Sequence, residues 1–410
     1  MYKKTNRNNR FKKSSSSSSR FKRRGSSGSF NRRSRGGFRG VKINPARFIN
    51  KAVMDEGIDV IKIENEFQDF KLDQRLKQII SSKGYETPTP IQDQTIPAAI
   101  SGSDVVGIAN TGTGKTAAFL LPLINKIIQN PKEKVLIITP TRELALQIDE
   151  EFKLFTKGLG IFSVYCVGGL SIGKQISNLR RRQYNAIIGT PGRLKDLIGR
   201  KVINLSNINN IVLDEADRML DMGFIHDTRF IMDLLPKKRQ VLFFLATMSP
   251  EIDGLIKEFL RNPIKVSVKT RDTAKNVEQD IVKVGLGKSK LDVLNGLLKK
   301  EEFNKVLIFG RTKHGVEKLS RILSRNGFKA ESIHGNKSNA QRQKALRLFK
   351  ENHTQVLVAT DVAARGLDID NISHVINYDL PATYTDYVHR IGRTGRMDKK
   401  GKALTFIENR

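Results

Sequence analysis

The chain of 410 residues is long for one domain, so its length favours two folded domains. Its formal net charge of +32 indicates a polyanionic partner, because so large an excess attracts phosphate backbones. No apolar run reaches the length of a membrane span, and the basic N-terminus does not resemble a signal peptide. The single cysteine, Cys166, excludes an internal disulfide. These features favour a soluble, cytoplasmic protein.

Residues 1–47 form a basic segment rich in Ser, Arg and Gly, with runs such as SSSSSS and RRSRGGFRG. Residues 1–50 contain 16 Lys and Arg, and the first acidic residue is Asp55. A segment with so little to bury is predicted to be disordered. Phenylalanines interrupt the basic residues at Phe11, Phe21, Phe30 and Phe38. Because arginine and aromatic rings together neutralise phosphates and stack on exposed bases, we predict an RNA-binding tail. A tail that only aids solubility is the alternative.

Short apolar runs rich in β-branched residues alternate with amphipathic stretches from about Glu66 onward. In the first half these runs are DVVGIA, KVLIITP, AIIGTP, IVLDEAD and QVLFFLAT, and in the second half they are KVLIFGR, QVLVATD, HVINYD and KALTFIE. Intervening stretches such as RELALQIDEEFKLF have helical periodicity. This alternation predicts an α/β protein with parallel sheets covered on both faces, whose functional residues lie at the carboxyl ends of the strands.

A polar stretch at residues 262–275 interrupts the alternation and predicts a linker between two α/β domains. We therefore expect a first domain over residues 48–268, a linker over residues 269–276 and a second domain over residues 277–410.

The stretch ANTGTGKT, residues 109–116, lies between an apolar strand and a helical pattern. Gly112 and Gly114 allow backbone amides to surround phosphate oxygens at the start of a helix, whose positive end adds to the attraction. Lys115 can reach the outer phosphates, and the Thr116 hydroxyl can bind Mg²⁺. Alanine at position 109 removes little, because only the tight part of the turn requires glycine. The stretch predicts a nucleotide site that uses Mg²⁺; an ordinary glycine-rich turn is the alternative.

The run IVLDEAD follows about a hundred residues later and supplies two acids at the end of a strand. Asp214 can hold the metal ion through water, and Glu215 can orient and deprotonate an attacking water. Adjacent strand residues point to opposite faces, so both acids can serve one site only if the strand ends there.

The second half contributes YVHRIGRTGR, residues 387–396. Arg393 and Arg396 are three residues apart, and would share one face if the segment were helical. Their guanidinium groups could then stabilise charge on a transferring phosphoryl group. A basic surface turn or a nucleic-acid contact is the alternative.

With these motifs in this order, the chain resembles the DEAD-box RNA helicases of superfamily 2 from about Phe67 to its C-terminus. The resemblance implies two RecA-like domains with ATP in the cleft between them. It also implies that Tyr85 and Gln92 of GYETPTPIQ contact the adenine base, that Asp368 touches the ribose, and that His389 couples the nucleotide site to the other domain. The nucleotide-binding residues so implied are Phe67, Tyr85, Gln92, Thr111, Gly112, Thr113, Gly114, Lys115, Thr116 and Asp368.

The blocks PTRELA, Gly168–Gly169, TPGR, LIFGRTK, HG and ATDVAARGLDI resemble the family's remaining motifs. The RNA-binding residues that they imply are Pro140, Thr141, Arg142, Gly169, Thr190, Arg193, Arg311, Gly335, Arg342 and Thr360. The implied activity is ATP-dependent RNA unwinding: domain closure on ATP and RNA together bends one strand and releases its partner, with little sequence preference. A monomer is the default expectation, and a ribosome or RNA-decay assembly is a candidate partner.

Three positions depart from the family's pattern. Leu245 stands where Ser-Ala-Thr usually begins, so a hydroxyl that bonds the acidic motif is missing. We therefore expect ATP binding to survive and duplex separation to be weaker. Asn339 replaces a common glutamine, and the chain stops at Arg410, where the family usually adds a closing helix.

An alternative function of a different class is an ATP-gated RNA clamp or an annealing chaperone. In that interpretation the basic tail anneals strands, and domain closure grips RNA without unwinding it. A DNA translocase is disfavoured, because the motifs of such enzymes are missing.

Overall fold

The computed structural model describes residues 48–49, 63–110, 112–181, 183–268, 277–285, 287–364, 369, 371–395 and 401–408. The predicted tail and linker lie outside the described residues, as do Thr111, Asp368 and Arg396. The described part contains two parallel sheets, one of seven strands and one of six. We call residues 63–268 the first lobe and residues 277–408 the second lobe.

The first lobe is built on a sheet with the strand order β3-β4-β2-β5-β6-β1-β7, in which neighbouring strands are parallel. Its strands are β1 (Val105–Ala109), β2 (Val135–Ile138), β3 (Ser163–Cys166), β4 (Ala186–Gly189), β5 (Asn210–Leu213), β6 (Gln240–Leu245) and β7 (Ile264–Val268). Its helices are α1 (Gln74–Ser82), α2 (Pro90–Ile100), α3 (Lys115–Gln129), α4 (Arg142–Phe155), α5 (Ile172–Arg181), α6 (Pro191–Gly199), α7 (Ala216–Asp221), α8 (Ile225–Asp233) and α9 (Pro250–Phe259).

The second lobe repeats this architecture, with the parallel strand order β10-β11-β9-β12-β13-β8. Its strands are β8 (Val277–Val284), β9 (Val306–Phe309), β10 (Ala330–Ile333), β11 (Val356–Ala359), β12 (His374–Asn377) and β13 (Gly401–Glu408). Its helices are α10 (Lys290–Leu298), α11 (Lys313–Arg325), α12 (Asn339–Lys350), α13 (Asp361–Ala364) and α14 (Tyr384–Ile391).

Each sheet is covered on both faces, which explains why its central strands are continuous apolar runs. In β6, Leu242 and Phe244 pack into one core while Phe243 and Leu245 pack into the core on the opposite face. Burying a side chain of this size stabilises the fold by about 1.5–3 kcal/mol. The central strands are therefore fixed from both sides, and their carboxyl ends are held along a common edge. The predicted α/β fold is confirmed, and all nine runs named from the sequence are strands.

The helices that follow these strands begin after only three or so residues, because polar caps start them at once. Thr141 accepts a hydrogen bond from the Leu144 amide at the start of α4, at 3.3 Å. Thr383 does the same for the Asp386 amide at the start of α14, at 3.0 Å. Such caps satisfy amides that the first helical turn would leave unbonded. The short connections at the carboxyl edge are therefore firmly held.

Candidate functional site

The predicted phosphate turn has the backbone that its glycines allow. Gly112 and Gly114 have φ angles of 83° and 90°, in the left-handed region where side chains are strained. A Cβ atom at Gly114 would lie 2.4 Å from Nε2 of Gln92, so a side chain has no room there. Ala109, by contrast, ends β1 as a buried strand residue. Glycine is required in the tight turn and not at position 109, as the sequence predicted.

Two side chains bond the backbone of this turn. Lys115, 7% exposed, donates from Nζ to the Ala109 carbonyl at 2.7 Å. Gln92 donates from Nε2 to the Gly114 carbonyl at 3.1 Å and accepts from the Thr89 amide at 2.9 Å. Both are therefore held against the turn, and Lys115 can exchange a backbone carbonyl for a phosphate oxygen. The Gln92 contact with Gly114 is a link that the sequence did not suggest.

The aromatic residues predicted to meet the base form a stack beside the turn. Tyr85 is half-buried and packs edge-on against Phe67 and Phe155, at centroid distances of 6.0 and 5.7 Å. Phe67 is only 2% exposed and belongs to the first-lobe core. Phe67 therefore supports Tyr85 from within, and Tyr85 presents the more accessible ring.

The acid pair meets the condition set by the sequence, because β5 ends at Leu213 immediately before Asp214. Glu215 then takes a left-handed conformation with φ 53° and ψ 47°, and serves as the N-cap of α7. This turn breaks the strand alternation that would have sent the two carboxyls to opposite faces. The strand registers place Leu213 beside Phe243, and Phe243 beside Val106. The acids and the phosphate turn therefore leave the same edge of the sheet, two strands apart.

Burial sets the electrostatics of this pair. Asp214 is 2% exposed, and burial raises its pKa to about 7, against the opposing effect of the Lys115 charge. Glu215 is 4% exposed and accepts a charge-assisted bond from Nη1 of Arg218 at 2.9 Å. Since Arg218 holds Oε2, the orientation of the Glu215 carboxyl is fixed. Arg218 follows Glu215 at helical spacing, a signal that was readable but that the sequence analysis missed.

A second connection joins the acidic motif to the end of β6. Asp217 Oδ2 accepts from the Ala246 amide at 3.1 Å, and from the amide and hydroxyl of Thr247, both at 2.9 Å. Leu245, the departure noted from the sequence, is fully buried in the core beneath. Asp217 therefore is not left without partners by Leu245, and Thr247 provides the hydroxyl link between these two motifs.

The predicted RNA residues of the first lobe lie at the ends of β2, β3 and β4. Arg142 packs against the Gly168–Gly169 turn so closely that a Cβ atom at Gly169 would lie 2.0 Å from its Nη1. Arg193 donates weakly to the Leu170 carbonyl, at 3.4 Å from Nη1. Thr190 begins α6 beside it. The remaining two, Pro140 and Thr141, are buried where β2 passes into α4.

In the second lobe the corresponding residues lie at the same kind of edge. Arg311 follows β9 and is exposed, with its amide bonded to Asp379 Oδ2 at 2.8 Å. Gly335 follows β10 and is also exposed, and Thr360 follows β11. These three positions are thus aligned along the carboxyl edge of β10-β11-β9.

Arg342 differs from the others, because it contacts the first lobe. Its Nη2 lies 2.7 Å from Oε1 of Glu143 in α4, and both side chains are more than nine-tenths buried. The contact is an ion pair that lacks the angles of a good hydrogen bond. Burial raises the pKa of Glu143 and lowers that of Arg342, while each partner's charge opposes the shift. An RNA phosphate at Arg342 would have to share this guanidinium with Glu143.

The arginine motif begins with α14, but the helix ends at Ile391 with Gly392 as its cap. The argument that two arginines share one helical face therefore does not apply to Arg393. Arg393 is 3% exposed and lines a small cavity with His389, Arg390 and Asp361. Arg390 forms a bidentate pair with Asp361 of α13, at 2.5 and 2.8 Å. This pair joins α13 to α14, and sequence reasoning did not identify it.

A glycine turn with Lys-Thr after one strand and paired acids after another define a phosphate-binding nucleotide hydrolase with two tandem parallel-sheet lobes. Residues 89–255 match the family model described as DEAD/DEAH box helicase, and residues 289–398 match that of the helicase conserved C-terminal domain.

Two curated relatives are each 47% identical over 348 residues, or 84% of this chain. They are the ATP-dependent RNA helicase CshA of Listeria monocytogenes, of which 66% is covered, and the DEAD-box ATP-dependent RNA helicase CshA of Bacillus subtilis, of which 70% is covered. Among solved structures, S. cerevisiae Dbp5 bound to RNA and ADP BeF3 aligns with a TM-score of 0.73 at 30% identity, over 85% of this chain and 90% of that one. The chain belongs to the DEAD-box ATP-dependent RNA helicases, a family of RNA-binding enzymes that use ATP. It spans slightly less than two thirds of the Listeria protein.

Replacing Asp214 by asparagine should change how stability depends on pH. The folded protein keeps a proton on Asp214 up to about pH 7, whereas the unfolded chain releases it near the usual value of 3.8. The free energy of unfolding of the wild type should therefore fall relative to that of Asp214→Asn as the pH rises from about 4 to about 7, and the difference should then level off. Denaturant unfolding in EDTA across this range measures it. A difference that does not vary with pH would contradict the buried, protonated carboxyl.

Proposed function

We propose that this chain separates short RNA duplexes, or remodels RNA–protein complexes, by binding and hydrolysing ATP to ADP and phosphate. The observation that carries the proposal is the shared edge at which the Gly112–Lys115 turn and the Asp214–Glu215 pair leave neighbouring parts of one sheet. A turn of this kind binds phosphate, and an oriented carboxylate beside it can activate water. RNA binding is supported by the basic groups at the same edge of both lobes.

The residues around the turn fit a nucleotide triphosphate with Mg²⁺. Lys115 would bind the outer phosphates, Tyr85 the base, and Gln92 its exocyclic edge. The Thr116 hydroxyl and the Asp214 carboxylate are oxygen donors, which Mg²⁺ prefers. The described residues contain no cluster of three His, Cys, Asp or Glu side chains that could hold a metal ion, which suits Mg²⁺ because it usually takes one or two carboxylates and shares the phosphates. When bound, Mg²⁺ would offset charge on the phosphate oxygens.

Hydrolysis needs a base on one lobe and positive charge from the other. Glu215, with Arg218 holding Oε2, orients and deprotonates the attacking water. Arg393 and Arg396 stabilise the charge that develops on the phosphoryl group, with His389 coupling the sites. Because these groups come from both lobes, only the closed arrangement completes the site.

RNA binding in this proposal uses backbone contacts from both lobes and a basic tail. Groups such as Arg142, Arg193, Arg311 and Thr360 meet phosphates and sugars, which carry little sequence information. The tail adds 16 positive charges within residues 1–50 and holds the core near RNA.

We further propose a monomer that works in the cytoplasm. Cys166, the chain's single cysteine, is a free and fully buried thiol, which suits a reducing compartment. The described residues include no helix long and apolar enough to cross a bilayer. A ribosome or RNA-decay assembly is the candidate partner.

Replacing Arg393 by alanine, and separately Arg396, should lower the RNA-stimulated kcat for ATP about 10³-fold, because each removes charge from the transition state. The KM for ATP should change little, since ground-state binding relies on the first lobe. Steady-state ATP turnover with saturating single-stranded RNA measures both. Arg321→Ala removes an exposed guanidinium, 72% accessible, from α11 and serves as the control. Equal kcat values in all four proteins would contradict the two-lobe site.

Deleting residues 1–47 distinguishes the helicase from a tail-driven annealing chaperone. A helicase should keep its RNA-stimulated kcat and bind RNA more weakly, with a shallower dependence of log K on log salt, because about 0.7 units are lost per single-strand phosphate contact removed. A chaperone would lose its annealing activity. A full-length variant with Phe11, Phe21, Phe30 and Phe38 changed to alanine separates base stacking from charge. Loss of ATPase on deletion, with the core still folded, would contradict the helicase interpretation.

Leu245→Ser should increase duplex release per ATP hydrolysed, because it restores a hydroxyl next to the Asp217–Thr247 link. Thr247→Val should do the reverse, since it removes the hydroxyl that bonds Asp217 at 2.9 Å. Leu245 is fully buried, so its truncation should also lower stability by about 2–5 kcal/mol, and both assays belong below the lowered melting point. Unwinding by Leu245→Ser equal to the wild type would refute the role assigned to this leucine.

A further inference from the structure

Phe48 is distant in sequence from the second lobe but is buried in its core. The residue is 1% exposed, and its ring lies 4.7 Å from that of Tyr387 in α14, at an interplanar angle of 58°. The other members of this core cluster all belong to the second lobe, between residues 277 and 403. Ile49, the next residue, is 55% exposed. The contact is therefore made by one aromatic side chain, placed where the second-lobe sheet meets α14.

The ring of Tyr387 is fixed from two sides. Its hydroxyl donates to Gln279 Oε1 of β8 at 2.9 Å, and its own exposure is 0%. The core that it shares with Phe48 also contains Ile391 of α14 and Ala363 and Ala364 of α13. The rotation of α14 about its axis therefore depends on what fills the space beside Tyr387.

The two helices above this core lead to the second lobe's functional residues. The helix α13 follows Thr360, and α14 carries His389 and leads within two residues to Arg393. On their other side, Arg390 clamps α14 to Asp361 of α13. The polar clamp holds the helices to each other, whereas Phe48 and Tyr387 determine how the pair sits on the sheet.

We propose that Phe48 is a positioning residue for the reaction: its ring seats α14, and so aims Arg393 and His389 at the nucleotide bound by the first lobe. The inference rests on the proposed ATPase. An aromatic side chain in a core sets the place of its neighbours within a few tenths of an ångström, because protein interiors are packed without room to spare. Groups that act on a transition state tolerate little displacement.

The test uses the full chain with three variants. Phe48→Ala removes the ring, Phe48→Leu keeps an apolar side chain of substantial volume, and Ile49→Ala removes an exposed apolar side chain next to it. Phe48→Ala should lower the RNA-stimulated kcat about tenfold, with the KM for ATP and the RNA affinity within about twofold of wild type. Phe48→Leu should recover most of the loss, and Ile49→Ala should behave as wild type. All assays are run below the lowest melting temperature of the set.

Hydrogen exchange separates local positioning from general loss of structure. In Phe48→Ala, amide exchange should rise in α14 and stay at wild-type rates in α10 and α11, which pack on the opposite face of the sheet. Faster exchange throughout the second lobe, or a KM that rises as kcat falls, would overturn the assignment. So would a wild-type kcat in Phe48→Ala. If the unmodified chain shows no RNA-stimulated turnover, the proposed function fails instead.

Discussion

The common edge of the first sheet is the constraint on which the rest of this site depends. In a parallel sheet every strand points the same way, so all the connections that follow the strands leave from one edge. The strand order then divides that edge: β1 and β5 deliver the phosphate turn and the acids, whereas β2, β3 and β4 deliver the RNA groups. The strand β6 lies between β1 and β5, and its end bonds Asp217 through Thr247. Nucleotide and RNA thus meet the same rigid edge at neighbouring places, and a displacement at one is felt at the other.

Buried charge is the second condition, and it explains why the acids are placed on a turn. Asp214 and Glu215 are both almost fully buried, an arrangement that costs free energy unless each carboxyl is neutralised, bonded or protonated. Glu215 is balanced by Arg218, and Asp214 by a raised pKa and the nearby Lys115. A cation bound at the site would relieve the remaining cost. The same arrangement that strains the folded protein therefore favours the binding of a metal-bearing phosphate.

The difference between strands found and missed from the sequence has a physical cause. All nine runs identified from the sequence are strands, and all are flanked on both sides by other strands. The four missed strands, β3, β7, β8 and β10, are the edges of the two sheets. Their residues are partly exposed, as in the pattern of β7, where Val266 and Val268 are buried and their neighbours are not. Continuous apolar runs identify only strands that are buried on both faces, so an edge strand leaves a weaker, alternating trace.

The site shows a similar boundary between what local pattern determines and what only folding determines. The turn glycines, the terminal position of the acids and the start of α4 follow from a few adjacent residues, and each was predicted from them. The pairing of Arg342 with Glu143, the clamp of Arg390 on Asp361 and the burial of Phe48 against Tyr387 join segments that lie 29 to 339 residues apart. No periodicity links such pairs, because each partner has a separate reason to occur where it does. Arg393 illustrates the consequence: its spacing from Arg396 suggested a shared helical face, yet α14 ends before it. What aims that arginine is then the packing beneath α14, which a residue from far upstream completes.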